Sequence, residues 1–207
     1  MCGGAITTDE LRGGRCAHTG KTIDERFRIR DIESFERYFR ERTGKQLKKL
    51  QRYWFRKLSL GLSFAAVAPT GVGKTFFGTM YSAWLAEEKG KKCYIIVPTT
   101  SLLQQIFRQL GKITKNVRIL GYLPNMKKSE KEEFRKKLGE GDFDILLTSS
   151  AFLSKNFDSM KHLLFDFIFV DDVDAILKAS KNVERVLHLL GFTEKEIQSQ
   201  ERTNNSP

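Results

Sequence analysis

The sequence predicts an α/β fold, a parallel sheet with helices packed on its faces. Three observations carry this. The octapeptide Ala68-Pro69-Thr70-Gly71-Val72-Gly73-Lys74-Thr75 stands between an apolar run, Ser63 to Val67, and a helical pattern, Phe76 to Glu88. Strand, glycine-rich turn, Lys-Thr and helix make the context of a phosphate-binding loop. Continuous apolar runs recur as KCYIIV (Lys92–Val97), DILLTS (Asp144–Ser149) and FDFIFV (Phe165–Val170). Such runs suit strands buried on both faces, and the helical patterns between them suit parallel crossovers. The last run ends in Asp171-Asp172, where open α/β sheets bind ligands.

Taken in order, residues 1–24 are glycine-rich and lack periodicity. From Ile29 to Leu60 apolar residues recur every three or four positions, as Phe35, Tyr38, Phe39 and then Leu47, Leu50, Trp54. This spacing predicts helix, read as two helices about a turn near Gln51. Ser63–Val67 is expected to be the strand that feeds the phosphate loop. Further helices are expected over Ser101–Lys112, Lys127–Leu138 and Asp174–Gly191, with a short strand over Val117–Tyr122. Residues 198–207 are polar and expected to fray. The division expected is therefore 1–24, a domain over 25–197, and a tail over 198–207.

The 207 residues include 36 Lys+Arg against 25 Asp+Glu, a net charge of +11. The excess is uneven, because Met1 to Lys57 holds 15 basic against 8 acidic residues. A basic surface attracts phosphate backbones through counterion release, which makes DNA the expected partner. No apolar run reaches the length of a membrane span, and the N-terminus does not resemble a secretory signal. Three cysteines do not make a disulfide framework, so a reducing cytoplasm is the expected location. Cys93, inside a predicted strand, reads as a small core residue.

The chemistry expected of the two motifs is specific. Gly71 and Gly73 let the backbone turn its N–H groups toward phosphate oxygens, and the following helix adds a partial positive charge. Pro69, Thr70 and Val72 complete the loop. Lys74 would reach the β- and γ-phosphates, and Thr75 with Asp171 would hold Mg²⁺. Asp172 stands where a Glu usually positions the attacking water, and it is one methylene shorter. The Ser/Thr turns after two strands, Thr99-Thr100-Ser101 and Thr148-Ser149-Ser150, can cap helices or present hydroxyls to a nucleic-acid phosphate.

These residues resemble superfamily 2 helicases and, more closely, the helicase-like half of reverse gyrases. The resemblance rests on SFAAVAPTGVGKT, VPTTSLLQQ, GDFDILLTSSAFLSKNFD and FDFIFVDDVDAILKASKNVERVLHLLGF. It covers roughly residues 1–192. Ala68 replaces the usual first glycine of the loop, a variant common in helicase-like ATPases. The resemblance implies a RecA-like sheet and ATP with Mg²⁺ as cofactors. It also implies an adenine-reading role for Gln51, whose amide can donate and accept at once. An N-terminal zinc finger is implied too. Cys2, Cys16 and His18 are the only candidates there, against the four ligands a structural site takes. That makes residues 1–24 a degenerate zinc-finger-like segment and Zn²⁺ the least supported cofactor.

Complete relatives of this type have a second RecA-like lobe and a topoisomerase domain. Neither can be recognised in this sequence. The expectation is an ATP- and DNA-binding first lobe that contributes to positive DNA supercoiling only with a partner chain supplying the rest. Two alternatives stay open: a truncated, non-catalytic nucleic-acid-binding remnant, or a lobe of another superfamily 2 helicase.

Overall fold

The computed structural model describes residues 23–172, 174 and 180–197. Cys2, Cys16 and His18, and most of the expected zinc-finger-like segment, lie outside these residues, as does the tail from 198. The chain forms two compact units, one ending at Val67 and one beginning at Ala68.

The described residues of the first unit form two helices, α1 (Ile23–Thr43) and α2 (Lys49–Ser59). The break falls at Gly44, whose φ of +67° is one that side chains disfavour. Gln51 therefore sits within the first turn of α2 rather than in a turn between helices. Phe35, Tyr38 and Phe39 of α1 and Trp54 and Phe55 of α2 are all buried. The Phe35 and Phe55 rings stack with centroids 5.0 Å apart.

Ser63–Val67 is not a strand, which corrects the expectation for the segment before the phosphate loop. An apolar run becomes a strand only when a neighbour completes its backbone hydrogen bonds. None of the described residues forms a ladder with it, and Val67 is 93% exposed.

The second unit alternates α3 (Lys74–Lys89), β1 (Cys93–Val97), α4 (Thr100–Ile113), β2 (Ile119–Gly121), α5 (Lys128–Glu140), β3 (Ile145–Ser149), α6 (Ser150–Met160), β4 (Phe167–Val170) and α7 (Ser180–Leu189). The four strands form one sheet in the order β2-β3-β1-β4, and every pairing is parallel. This is the predicted α/β architecture, a RecA-like sheet with flanking helices. β1 is buried throughout and β3 almost throughout, as continuous apolar runs require. β4 is an edge, and its four residues are only half-buried. Cys93 is a buried free thiol as expected, and burial drives its pKa far up.

One face of the sheet is filled around Tyr94, Leu146, Phe143 and Phe165 together with Phe134, Phe152 and Leu189 from the helices. Tyr122, Phe134 and Phe152 form a three-ring cluster with centroids 4.6–5.5 Å apart. On α3, Tyr81 meets Phe167 edge-on at 5.0 Å.

The two ends of the sheet differ in charge arrangement. At the N-terminal ends of the strands, acids are matched by bases. Asp144 accepts from the Arg118 backbone N–H at 2.8 Å and from its guanidinium at 2.6 Å. Asp166 accepts from Lys91 Nζ at 2.8 Å and from the Lys92 backbone N–H at 2.9 Å. At the C-terminal ends, Asp171 and Asp172 have no cationic side chain within ion-pair distance among the described residues. Among those residues, no helix is long and apolar enough to cross a membrane.

Candidate nucleotide site

The phosphate loop begins where the second unit begins. Gly71 and Gly73 have φ of +80° and +88°, the left-handed region that a side chain would make strained. Gly73 is also the N-cap of α3 and offers no side chain to cap it, and the first turn carries no acid. The leading N–H groups of a 16-residue helix are thus left for a ligand. Backbone donors and the helix dipole together make an anion site. Pro69, Thr70 and Gly71 are exposed, and Val72 to Thr75 are half-buried.

Lys74 folds back over the loop, its Nζ donating to the Ala68 carbonyl at 2.5 Å. The ammonium is therefore held over the glycine-rich turn itself. Sequence reading could not find this partner, because a backbone carbonyl carries no residue signature.

Thr75 Oγ1 donates to Asp171 Oδ1 at 2.7 Å, joining residues 96 positions apart. The link follows from the fold. α3 packs against β4, and the backbone N–H of Asp171 continues the ladder by donating to the Ile96 carbonyl at 2.9 Å. A hydroxyl and a carboxylate are hard oxygen ligands, the set Mg²⁺ prefers when phosphates and water complete its shell. The pair fits the expected metal role. No cluster of three or more His, Cys, Asp or Glu side chains suited to a metal occurs among the described residues.

Asp172 is exposed, and its φ is +81°. A non-glycine residue in that region costs on the order of 1 kcal/mol or more and concentrates at functional sites. Aspartate tolerates it better than most residues.

Thr148 is fully buried and shares a 2.7 Å hydrogen bond with the Tyr94 hydroxyl, so it is a core group rather than a phosphate contact. Thr99 and Ser149 act as N-caps, accepting from Leu102 and Phe152 backbone N–H at 3.3 and 3.2 Å.

Gln51 belongs to the first unit. It is 4% exposed, and its Oε1 accepts from the Lys48 backbone N–H at 3.0 Å, capping α2. The cap uses only the Oε1 acceptor, whereas the expected adenine role also needs the Nε2 donor, so the two can be separated by substitution. Gln51→Glu keeps the capping acceptor and loses the amide donor, whereas Gln51→Ala loses both. The expected result is a lower ATP-to-GTP affinity ratio in both variants. The melting temperature should fall further in Gln51→Ala, by the equivalent of about 1 kcal/mol. Nucleotide titration with thermal melts checks this, and an unaltered ratio in both variants would refute the adenine role.

A glycine-rich loop ahead of a helix, a lysine and a threonine on that helix, and an aspartate brought to the threonine by a parallel sheet define a phosphate-loop module of the helicase type. Residues 48–203 match the DEAD/DEAH box helicase family, and the chain belongs to that family. More particularly, it is similar to reverse gyrases. It is 45% identical to a reverse gyrase of Thermococcus kodakarensis over 86% of this chain and 11% of the relative. The identity to the Pyrococcus horikoshii reverse gyrase is 45% over 91% of this chain and 12% of that protein. For the Methanocaldococcus jannaschii reverse gyrase it is 37% over 95% and 14%. The chain thus spans 11–14% of the length of these relatives and corresponds to their helicase-like part.

Proposed function

We propose that the chain is the ATP- and DNA-binding first lobe of a reverse-gyrase helicase module, acting in the cytoplasm. The Thr75–Asp171 hydrogen bond carries this reading, because it brings together two motifs that a Mg²⁺-nucleotide site needs from positions 96 residues apart. When bound, Mg²⁺ would neutralise charge on the β- and γ-phosphates. The chain's own residues have distinct tasks. Gly71 and Gly73 aim N–H groups at the phosphates, Lys74 exchanges the Ala68 carbonyl for a phosphate oxygen, and Asp172 orients the attacking water. Gln51 reads the adenine.

In this proposal, positive supercoiling needs a second RecA-like lobe and a topoisomerase domain from another polypeptide. An arginine supplied in trans is worth about 10³–10⁵ in rate in comparable phosphoryl-transfer sites, so the chain alone is expected to turn over ATP very slowly. The test is DNA-dependent ATP turnover by the purified chain, alone and after adding a separately expressed second lobe with its topoisomerase half. The expected result is stimulation on addition. Nucleotide binding with no turnover in either state would favour the second reading, a non-catalytic remnant. Zinc binding by Cys2, Cys16 and His18 stays a minor part of the proposal.

A further inference from the structure

No Asp or Glu occurs between Glu41 and Glu87. Within the first unit, that acid-free stretch carries Arg42, Lys45, Lys48, Lys49, Arg52, Arg56 and Lys57. α2 sorts these charges by face. Its inner face buries Gln51, Trp54 and Phe55. Lys49, Arg52, Tyr53 and Arg56 recur at three- and four-residue spacing and are all exposed, so they form one stripe. Lys45 and Lys48, also exposed, extend it beyond the helix start.

We propose that this stripe is a contact surface for the phosphate backbone of DNA, separate from the nucleotide site. The proposal rests on the reading of the chain as a DNA-binding lobe and adds where part of that binding occurs. Arg52 is matched, its Nε lying 2.8 Å from Glu36 Oε1. Lys45, Lys48, Lys49 and Arg56 have no carboxylate partner among the described residues. Lys48 and Lys49 also stand at the start of α2, where the helix dipole disfavours cations. Such a placement weakens the helix unless an anion faces it.

The geometry suits a nucleic-acid strand. Lys49 to Arg56 spans about 10 Å of helix axis, which matches roughly three phosphates at ~3.4 Å rise along one strand. Tyr53, 52% exposed, stands within the stripe with Lys57 Nζ 5.1 Å from its ring centroid. An exposed ring flanked by cations is the combination that lets a surface hold a strand and stack on an unpaired base.

The experiment measures affinity for duplex and single-stranded DNA across salt concentrations, using the full chain. The variant replaces Lys48, Lys49 and Arg56 with alanine. A control removes the same charge from α5 by Lys128→Ala, Arg135→Ala and Lys136→Ala, all exposed but mixed with glutamates. The slope of log affinity against log salt is expected to fall by about 2–3 in the α2 variant, since each phosphate contact contributes roughly 0.7–0.9. The control is expected to keep the wild-type slope, and ATP affinity is expected to be the same in all three proteins. Tyr53→Ala should weaken single-stranded binding on the order of tenfold, with Tyr53→Phe retaining it. An unchanged slope in the α2 variant, or an equal fall in the control, would overturn the proposal. So would binding to anionic lipid vesicles through this stripe without DNA binding. Wild-type protein that binds ATP but no DNA would overturn it while leaving the nucleotide site standing.

Discussion

Replacing Lys74 with alanine is expected to weaken ATP affinity by about 10- to 100-fold without unfolding the protein. The size follows from the environment. The side chain is half-buried at the mouth of the loop, and a hydrogen bond between charged partners there contributes about 1.5–3 kcal/mol. The structural cost is small, because the only hydrogen bond of this side chain among the described residues is the one to the Ala68 carbonyl, at a half-buried position of the loop. The melting temperature should therefore stay within a few degrees of wild type. Titration of a fluorescent ATP analogue against both proteins, with thermal melts in parallel, provides the check. Equal affinities would remove Lys74, and with it the assigned phosphate loop, from the nucleotide site.

The second large effect is expected at Gly78, four residues into α3 and in contact with β4. A Cβ at this position would lie 2.5 Å from three carbons of the Phe169 ring, closer than side chains approach. Gly78→Ala sets a helix-propensity gain of about 1 kcal/mol against an overpacking cost of about 1–3 kcal/mol. Gly78→Val loses most of that gain, because branched side chains stiffen in helices, and it adds two more methyl groups to the clash. We expect it to destabilise by ~3 kcal/mol, a drop in melting temperature of roughly 10 °C. Nucleotide affinity should fall as well. Phe169 is two residues before Asp171, and Gly78 three residues after Thr75, so forcing α3 from β4 separates the Thr75–Asp171 pair. Phe169→Leu in the same chain should restore part of both losses. A Gly78→Val protein with wild-type melting and nucleotide binding would show that the contact does not set the spacing of the site.

The two predictions sit at opposite ends of what a sequence can show. Lys74 was legible because its chemistry is local. A glycine-rich turn, a lysine, a threonine and a following helix are contiguous, and the positive φ at Gly71 and Gly73 is a demand that residue type records directly. The strands β1 and β3 were legible for a related reason, since burial on both faces favours a mainly apolar run, and β4 carries the same kind of run although its residues are only half-buried. Asp171 and Asp172 stand at the end of such a run in the sequence itself.

Gly78 was not legible as a contact, because a glycine in a helix has many explanations and its partner lies 91 positions away. The same limit governs Thr148. Its hydroxyl faces the Tyr94 side chain across neighbouring strands, and no local pattern distinguishes that from a surface hydroxyl. Ser63–Val67 shows the limit from the other side: its composition is that of a buried strand, but backbone hydrogen bonds need a neighbour, and composition does not supply one. The break between α1 and α2 likewise falls at Gly44 rather than near Gln51, because left-handed backbone at a glycine, not the spacing of apolar residues, ends the first helix.

By itself, then, the sequence determined which residues could bind phosphate and metal and which runs could be buried. Those properties belong to residue types and their near neighbours. Only the tertiary structure decided that Thr75 and Asp171 meet, that Phe169 lies against Gly78, and that the Thr148 hydroxyl faces Tyr94. These depend on how helices and strands distant in the chain are brought to share one surface, and packing across such separations is settled by the whole fold at once.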